Sequence, residues 1–149
     1  MNISDICTRS VIHIEADQSI EAAAELMRKR HVGSLVVVDK PDGERTPVGI
    51  LTDRDIVLAV IAPGIEARSL TVGDVMSRQL ATCSEADDLF DAIATMRRHG
   101  VRRLPVLNRN GGLAGMVSAD DIYGALGVHL QELSQALTRE QVREMELRT

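Results

Sequence analysis

The chain contains the same unit twice, and this repetition limits its possible folds more than any other feature of its 149 residues. Displaced by 69 positions, Ile3-Ser4-Asp5-Ile6-Cys7-Thr8-Arg9 falls on Val72-Gly73-Asp74-Val75-Met76-Ser77-Arg78, and Ala23, Met27, Arg28, Val32, Leu35 and Val37 fall on Ala92, Met96, Arg97, Val101, Leu104 and Val106. The match runs without a gap from Ile3 to Asp39. After a loop that is longer in the first copy the displacement drops to 66, and Gly49, Asp55, Ile56 and Ala59 match Gly115, Asp121, Ile122 and Ala125. Twelve identities in 49 aligned pairs is a low fraction, and its weight comes from its agreement with the apolar pattern. A unit of about 60 residues buries only a marginal core. The copies are therefore expected to share one core, and two similar units side by side make two similar clefts.

Each copy reads as β-α-β-β-α. In the first, the β-branched run 11–14 predicts a strand. Asp17 and Ser19 announce a helix with Ile20, Ala23, Ala24 and Met27 on one face, which His31-Val32-Gly33 ends. The unbroken apolar run 35–38 predicts a strand buried on both faces. The Asp-, Gly- and Pro-rich segment 39–47 turns the chain, residues 48–51 form a third strand, and Thr52 opens a helix to about Ile61. The second copy predicts a strand at 80–83, a helix at 87–99, strands at 104–107 and 113–117 around the turn Asn110-Gly111-Gly112, and a helix at 118–126.

Composition removes several function classes. Aromatic residues are 1% of the chain, so there is no stacking platform for single-stranded nucleic acid. The net charge of −5 argues against a polyanion-binding face. No apolar run approaches the ~20 residues of a membrane span, and without a charged-then-apolar leader the chain reads as cytoplasmic. Cys7 lies opposite Met76 in the repeat and Cys83 opposite Ile14, the pattern of buried, inert thiols rather than of a redox or metal pair. His13, His31, His99 and His129 show no ligand spacing. Neither a nucleophile with its base nor a G-x-x-x-x-G-K loop is present, so no catalysis is expected.

Val75-Met76-Ser77 before the first strand of the second copy, His99-Gly100-Val101-Arg102-Arg103-Leu104-Pro105-Val106 entering its second, and Gly115-Met116-Val117-Ser118-Ala119-Asp120-Asp121-Ile122 after it together resemble the CBS domain, named after cystathionine β-synthase. The motif order occurring twice resembles the tandem CBS pair. The first copy departs from it in carrying Val36 where the second has Pro105, and in its longer loop before Gly49. The resemblance implies an α+β module of two pseudo-symmetric β-α-β-β-α repeats plus a C-terminal helix. It divides the chain into repeat 1 (1–64), a connector (65–71), repeat 2 (72–127) and a helical tail (128–149). It further implies a regulatory module that binds adenosine-containing ligands such as AMP, ADP, ATP or S-adenosylmethionine in clefts between the repeats, with no cofactor required and no metal.

Thr52-x-x-Asp55 and Ser118-x-x-Asp121 each put a hydroxyl at a helix start and a carboxylate one turn on. One reading is a capping box, worth ~1 kcal/mol with no ligand. The other is a ligand site, in which the hydroxyl and helix terminus meet a phosphate and the carboxylate accepts both hydroxyls of a ribose; the resemblance favours it. By the same resemblance the adenine would lie against Ile12, His13, Ile14, Ser34 and Leu35 and against Ala81, Thr82, Cys83, Arg103 and Leu104, positions equally well explained as core. Arg102 and Arg103 replace Gly33 and Ser34 and would reach a phosphate or stay solvated. Arg54, matched by Asp120, is expected to favour phosphate charge on the Thr52 side.

In the tail, Leu130, Leu133 and Leu137 fall on one stripe that Val142 and Met145 continue, and Thr138 offers a fresh cap, so one side of this helix is expected to be buried against its own module, a symmetry mate or a separate regulated protein. A homodimer is the expected assembly. The rival reading of the whole chain is a ligand-independent dimerisation scaffold.

Overall fold

A computed structural model describes residues 1–40 and 43–148 of the chain. Pro41 and Asp42, in the expected turn 39–47, and Thr149 lie outside the described residues. The first copy comprises β1 (His13–Glu15), α1 (Ile20–Arg30), β2 (Ser34–Asp39), β3 (Thr46–Thr52) and α2 (Asp53–Ile56), which runs on as a π-helical turn, Val57–Ile61. A short helix α3 (Val72–Val75) precedes the second copy: β4 (Cys83–Ser84), α4 (Leu89–His99), β5 (Arg103–Leu107), β6 (Leu113–Ser118) and α5 (Ala119–Arg148). Each copy makes its own three-stranded sheet, in the order β1-β2-β3 and β4-β5-β6, with the middle strand parallel to the first and antiparallel to the third. Both ladders slip at matched places, Val37/Val38 and Val106/Leu107.

The apolar run of β2 is buried on both faces, as its continuity predicts. Alternation sends Leu35 and Val37 toward Ile20, Ala23 and Met27 of α1, and Val36 and Val38 toward the other sheet, where they pack with Leu113 against Val11 and Met116. Ser19 caps α1 by accepting from the Ala22 N–H at 3.0 Å. The two long helices end in a left-handed residue, His31 (φ 56°) in one copy and Gly100 (φ 65°) in the other.

Each copy is completed by the leading segment of the other. Ile3, in a 3-10 turn (Ile3–Asp5), lies fully buried among Cys83, Leu89, Ala92 and Leu104 of the second copy. Val72 lies fully buried among Ile14, Ile20, Ala23 and Leu35 of the first. The backbone bonds correspond: Ile3 N–H to Asp87 O and Ser4 N–H to Glu85 O on one side, Val72 N–H to Gln18 O and Gly73 N–H to Ala16 O on the other. Thr8 then pairs with Met116, and Ser77 with Ile50. This crossing explains one of the repeat's identities, Gly49 with Gly115. A Cβ on Gly49 would stand 2.6 Å from Ser77 O, and one on Gly115 would stand 2.7 Å from Thr8 O, so the strap lies where a side chain would be.

Two sequence expectations are corrected. The first strand of each copy starts later than the apolar runs at 11 and 80 suggest, because those residues belong to the crossing straps. The last helix does not stop near Leu126 and restart at Thr138. It is one helix of 30 residues, and the Thr138 hydroxyl donates back to Ser134 O at 3.1 Å instead of capping. Residues 127–148 of α5 are exposed throughout, so the stripe of Leu130, Leu133 and Leu137 is not covered by its own chain. Among the described residues, no helix is long and apolar enough to cross a membrane.

Candidate functional site

Because the straps cross, each cleft is walled by both copies. The first cleft, about 280 Å³, lies between the strand-entry residues of copy one (Thr8, Ser10, Val11, Ile12, with Val32, Ser34 and Val36) and Arg103, Met116, Ser118 and Asp121 of copy two. Its size falls near the lower end of small-molecule pockets, about 300–1,000 Å³. Val11, Ile12, Val36 and Met116 give an apolar slot, and Ser34, Ser118, Asp121 and Arg103 put hydroxyl, carboxylate and guanidinium groups along one side.

The pseudo-symmetric counterpart is two hollows that share Val101: one of about 360 Å³ lined by Gln79, Leu80, Ala81 and His99, and one of about 510 Å³ lined by Ser34, Ile50, Thr52, Arg102, Arg103, Ser118, Ala119 and Asp120. Gln79, Leu80, Ala81, Ile50 and Thr52 of this second cleft match Ser10, Val11, Ile12, Met116 and Ser118 of the first. The larger hollow abuts the first cleft across Ser34, Arg103 and Ser118.

Both hydroxyl–carboxylate pairs form capping boxes. Thr52 N–H donates to Asp55 Oδ2 at 2.9 Å while Asp55 N–H donates to Thr52 Oγ1 at 3.1 Å, and Ser118 and Asp121 repeat this at 2.9 and 3.1 Å. Capping uses one carboxylate oxygen. The other oxygen of Asp121 has no hydrogen-bond partner among the described residues and belongs to the cleft wall, so the structural and ligand-binding readings are compatible at this residue.

The structure brings Ile12, Ser34, Arg103, Ser118 and Asp121 together in the first cleft, and Thr52, Ala81, Arg102 and Arg103 at the second. Ile14, Leu35, Cys83 and Leu104 do not line either cleft and lie in the cores. Successive strand residues point to opposite faces, so Ser34 and Leu35, or Arg103 and Leu104, cannot both face a ligand. His13 is turned aside, its Nδ1 3.1 Å from Val11 O and its ring beside Arg45. Thr82, Asp55 and Arg54 line neither cleft; Arg54 is exposed on α2. Asp120, whose charge was to distinguish the sites, forms an exposed ion pair with Arg102 at 3.6 Å. The sequence reading missed Thr8, Ser10, Val11, Val32, Val36 and Met116, and the signal for Thr8 and Ser10 was their place just before the first strand in a repeat whose leading segments cross over.

Burial pushes the Cys83 thiol up to about 12, with the nearby Asp87 and Cys7 adding to the effect, so Cys83 stays protonated and unreactive at neutral pH. Among the described residues no group of three or more His, Cys, Asp or Glu side chains is arranged to hold a metal.

The sequence model of the CBS domain matches residues 3–62 and again residues 72–128. The chain belongs to the CBS domain family. The CBS domain-containing protein YhcV of Bacillus subtilis is 35% identical over 121 residues, which are 81% of this chain and 82% of that protein. The chain is also 32% identical to the uncharacterized protein MK0525 of Methanopyrus kandleri over 122 residues, 82% of this chain and 61% of that protein, so it spans less than two thirds of that relative's length. The crystal structure of Hypoxic Response Protein I with two coordinated zinc ions matches with a TM-score of 0.74 at 28% identity, covering 84% of this chain and 98% of that one. The CBS domain protein PAE2072 from Pyrobaculum aerophilum, complexed with AMP, matches with a TM-score of 0.70 at 26% identity, covering 81% and 89%. The sequence expectation of a tandem CBS pair of α+β class holds.

Proposed function

We propose that this CBS pair is a regulatory module that takes an adenosine-containing ligand of the AMP type in its first cleft and signals occupancy by a change in the relative arrangement of the two copies. The observation that carries this reading is the meeting of Ser118 and Asp121 from one copy with the apolar wall Val11 and Ile12 of the other, a slot for a base beside an acceptor for a ribose diol. The AMP complex of PAE2072 supports it by likeness. A ligand touching both copies shifts their arrangement only by as much as it prefers one arrangement over the other, and the crossed straps make any such shift felt in both cores. No step of chemistry is assigned to the module.

Calorimetry with AMP tests the reading. Asp121→Asn keeps an oxygen for the cap and loses the charge, whereas Asp121→Ala loses both. Removing charge-assisted hydrogen bonds to the ribose costs ~1.5–3 kcal/mol, so both variants weaken AMP binding tenfold or more. Unchanged binding in both overturns the ribose assignment, and no binding of AMP, ADP, ATP or S-adenosylmethionine by the wild type leaves the scaffold reading. Material absorbing near 260 nm that copurifies with the chain favours the ligand reading, against a protein background of one Tyr and no Trp.

A homodimer is part of the proposal. Val57, Leu58 and Ile61 after α2, Phe90 on α4, and Tyr123, Leu130, Leu133 and Leu137 on α5 are exposed apolar side chains that association would cover. Light scattering of the full chain checks it: a monomer at micromolar concentration defeats the idea.

A further inference from the structure

The two clefts are not separate chambers. Ser34, Arg103 and Ser118 line both, so whatever occupies one approaches the other across these three side chains. Pseudo-symmetry would put equivalent groups on either side of that junction, and it does so for the hydroxyls, with Thr52 opposite Ser34 in the first sheet and Ser118 opposite Arg103 in the second. It does not do so for charge. Ser34 is the counterpart of Arg103, so the junction holds one arginine where a symmetric pair would hold two or none. The neighbouring Arg102 is paired with Asp120 at 3.6 Å, whereas Arg103 has neither an ion pair nor a side-chain hydrogen bond among the described residues. It is therefore an exposed, uncompensated guanidinium facing two cavities.

A guanidinium binds a phosphate as a planar fork of donors, and one fork serves one phosphate at a time. A second phosphate arriving in the other cleft finds hydroxyls and Arg102, whose charge Asp120 already offsets, and meets the charge of the first across the shared wall. We infer that Arg103 is a phosphate ligand common to both clefts, and that it makes them compete: a phosphorylated adenosyl ligand in one cleft weakens its own kind in the other, while an unphosphorylated nucleoside does not. This rests on the proposed reading of the clefts as adenosyl-ligand sites and adds a coupling between them.

The test is a thermodynamic cycle with AMP and with adenosine, read by calorimetry on the full chain. The clefts are closed one at a time by a bulky residue in each wall, Ile12→Trp for the first and Ala81→Trp for the second, with Ser10→Trp and Gln79→Trp at exposed wall positions if a half-buried change unfolds the chain. For AMP, the product of the two wild-type dissociation constants is expected to exceed the product of the two isolated-cleft constants by about tenfold, within the usual span of coupling between sites. One AMP per wild-type chain with one AMP in each closed-cleft variant is the extreme of the same result. For adenosine the two products agree, and Arg103→Gln makes them agree for AMP. Equal products for AMP in the wild type, or an excess that survives Arg103→Gln, overturn the shared-arginine inference while the adenosyl reading stands. AMP that binds neither the wild type nor any variant overturns both.

Discussion

The first copy enters its central strand through Gly33-Ser34, ends its long helix on His31 and its last helix in a π turn at Ile61; the second enters through Arg102-Arg103, ends its long helix on Gly100 and sends its last helix on to Arg148. Yet Asp5 and Asp74, Gly49 and Gly115, and the cores around Ile3 and Val72 correspond closely. The difference is ordered. Positions where one copy grips the other are held alike by the same close contacts, and positions that face solvent or a cleft are free to differ. The pseudo-twofold is thus a property of the joint between the copies, and function is written into the departures from it.

The largest expected effect attacks the joint. Ile3→Ala should cost about 2–5 kcal/mol in urea unfolding, as a fully buried Ile does, and Val72→Ala should cost less because it removes two carbons rather than three. If Ile3→Ala is nearly neutral while Val72→Ala is not, the exchange of leading segments is one-sided. Gly49→Ala and Gly115→Ala come next, at about 1–3 kcal/mol each, because the added Cβ pushes against the backbone carbonyl of a strap. Their effects should be similar, and a clear inequality between them would show that one strap yields more easily.

A smaller effect separates the copies. His31 has φ 56° where its counterpart is Gly100, so His31→Gly should raise stability by up to about 1 kcal/mol, the relief of left-handed strain exceeding the entropy that glycine costs. Gly100→His should do the reverse. Thermal melts of the two single variants check both signs.

The smallest effect is at the cap of α3. The Thr71 backbone N–H, and after it the Thr71 side chain, hold the Asp74 carboxyl below its usual range. A depressed folded-state value contributes stability that is present above the ordinary carboxylate range and is lost as pH falls through the folded value. The stability difference between wild type and Asp74→Asn should therefore shrink as pH is lowered below about 4, and a difference that grows on acidification would refute the cap.

Most of the fold was legible because it is written in periodicity: the 3.6-residue faces of α1 and α4, the continuous run of β2 and the doubled order of elements fix the class and the order of elements in each copy. Ser118 and Asp121 were legible as a pair because their spacing is local. What stayed hidden was the partner of each. Nothing in the spacing of Thr8, Ser10 or Ile3 says that they are attached to the opposite copy, since crossing is a property of packing at long sequence separation. The reading also took consecutive residues, Ser34 with Leu35 and Arg103 with Leu104, where the pleat allows only the first of each pair to face the cleft. The tail was read in two pieces because the repeat ends near Leu126 and Thr138 resembles a cap; an unbroken ladder of helical hydrogen bonds overrides that reading.

The exchange of leading segments also sets an order of events during synthesis. The core of the first copy lacks its last members, Val72 and Met76, until both have left the ribosome, although its strands and helices end at Ile61. Ile3, made well before the rest of its core, must wait for Leu89 and Leu104 before it has anywhere to go. The first copy therefore has all members of its core before the second sheet is made, whereas the second closes in a later step, when its sheet takes up Ile3. A ribosome-stalled chain ending just before the second sheet should therefore protect the first copy's core while leaving the segment around Ile3 protease-sensitive.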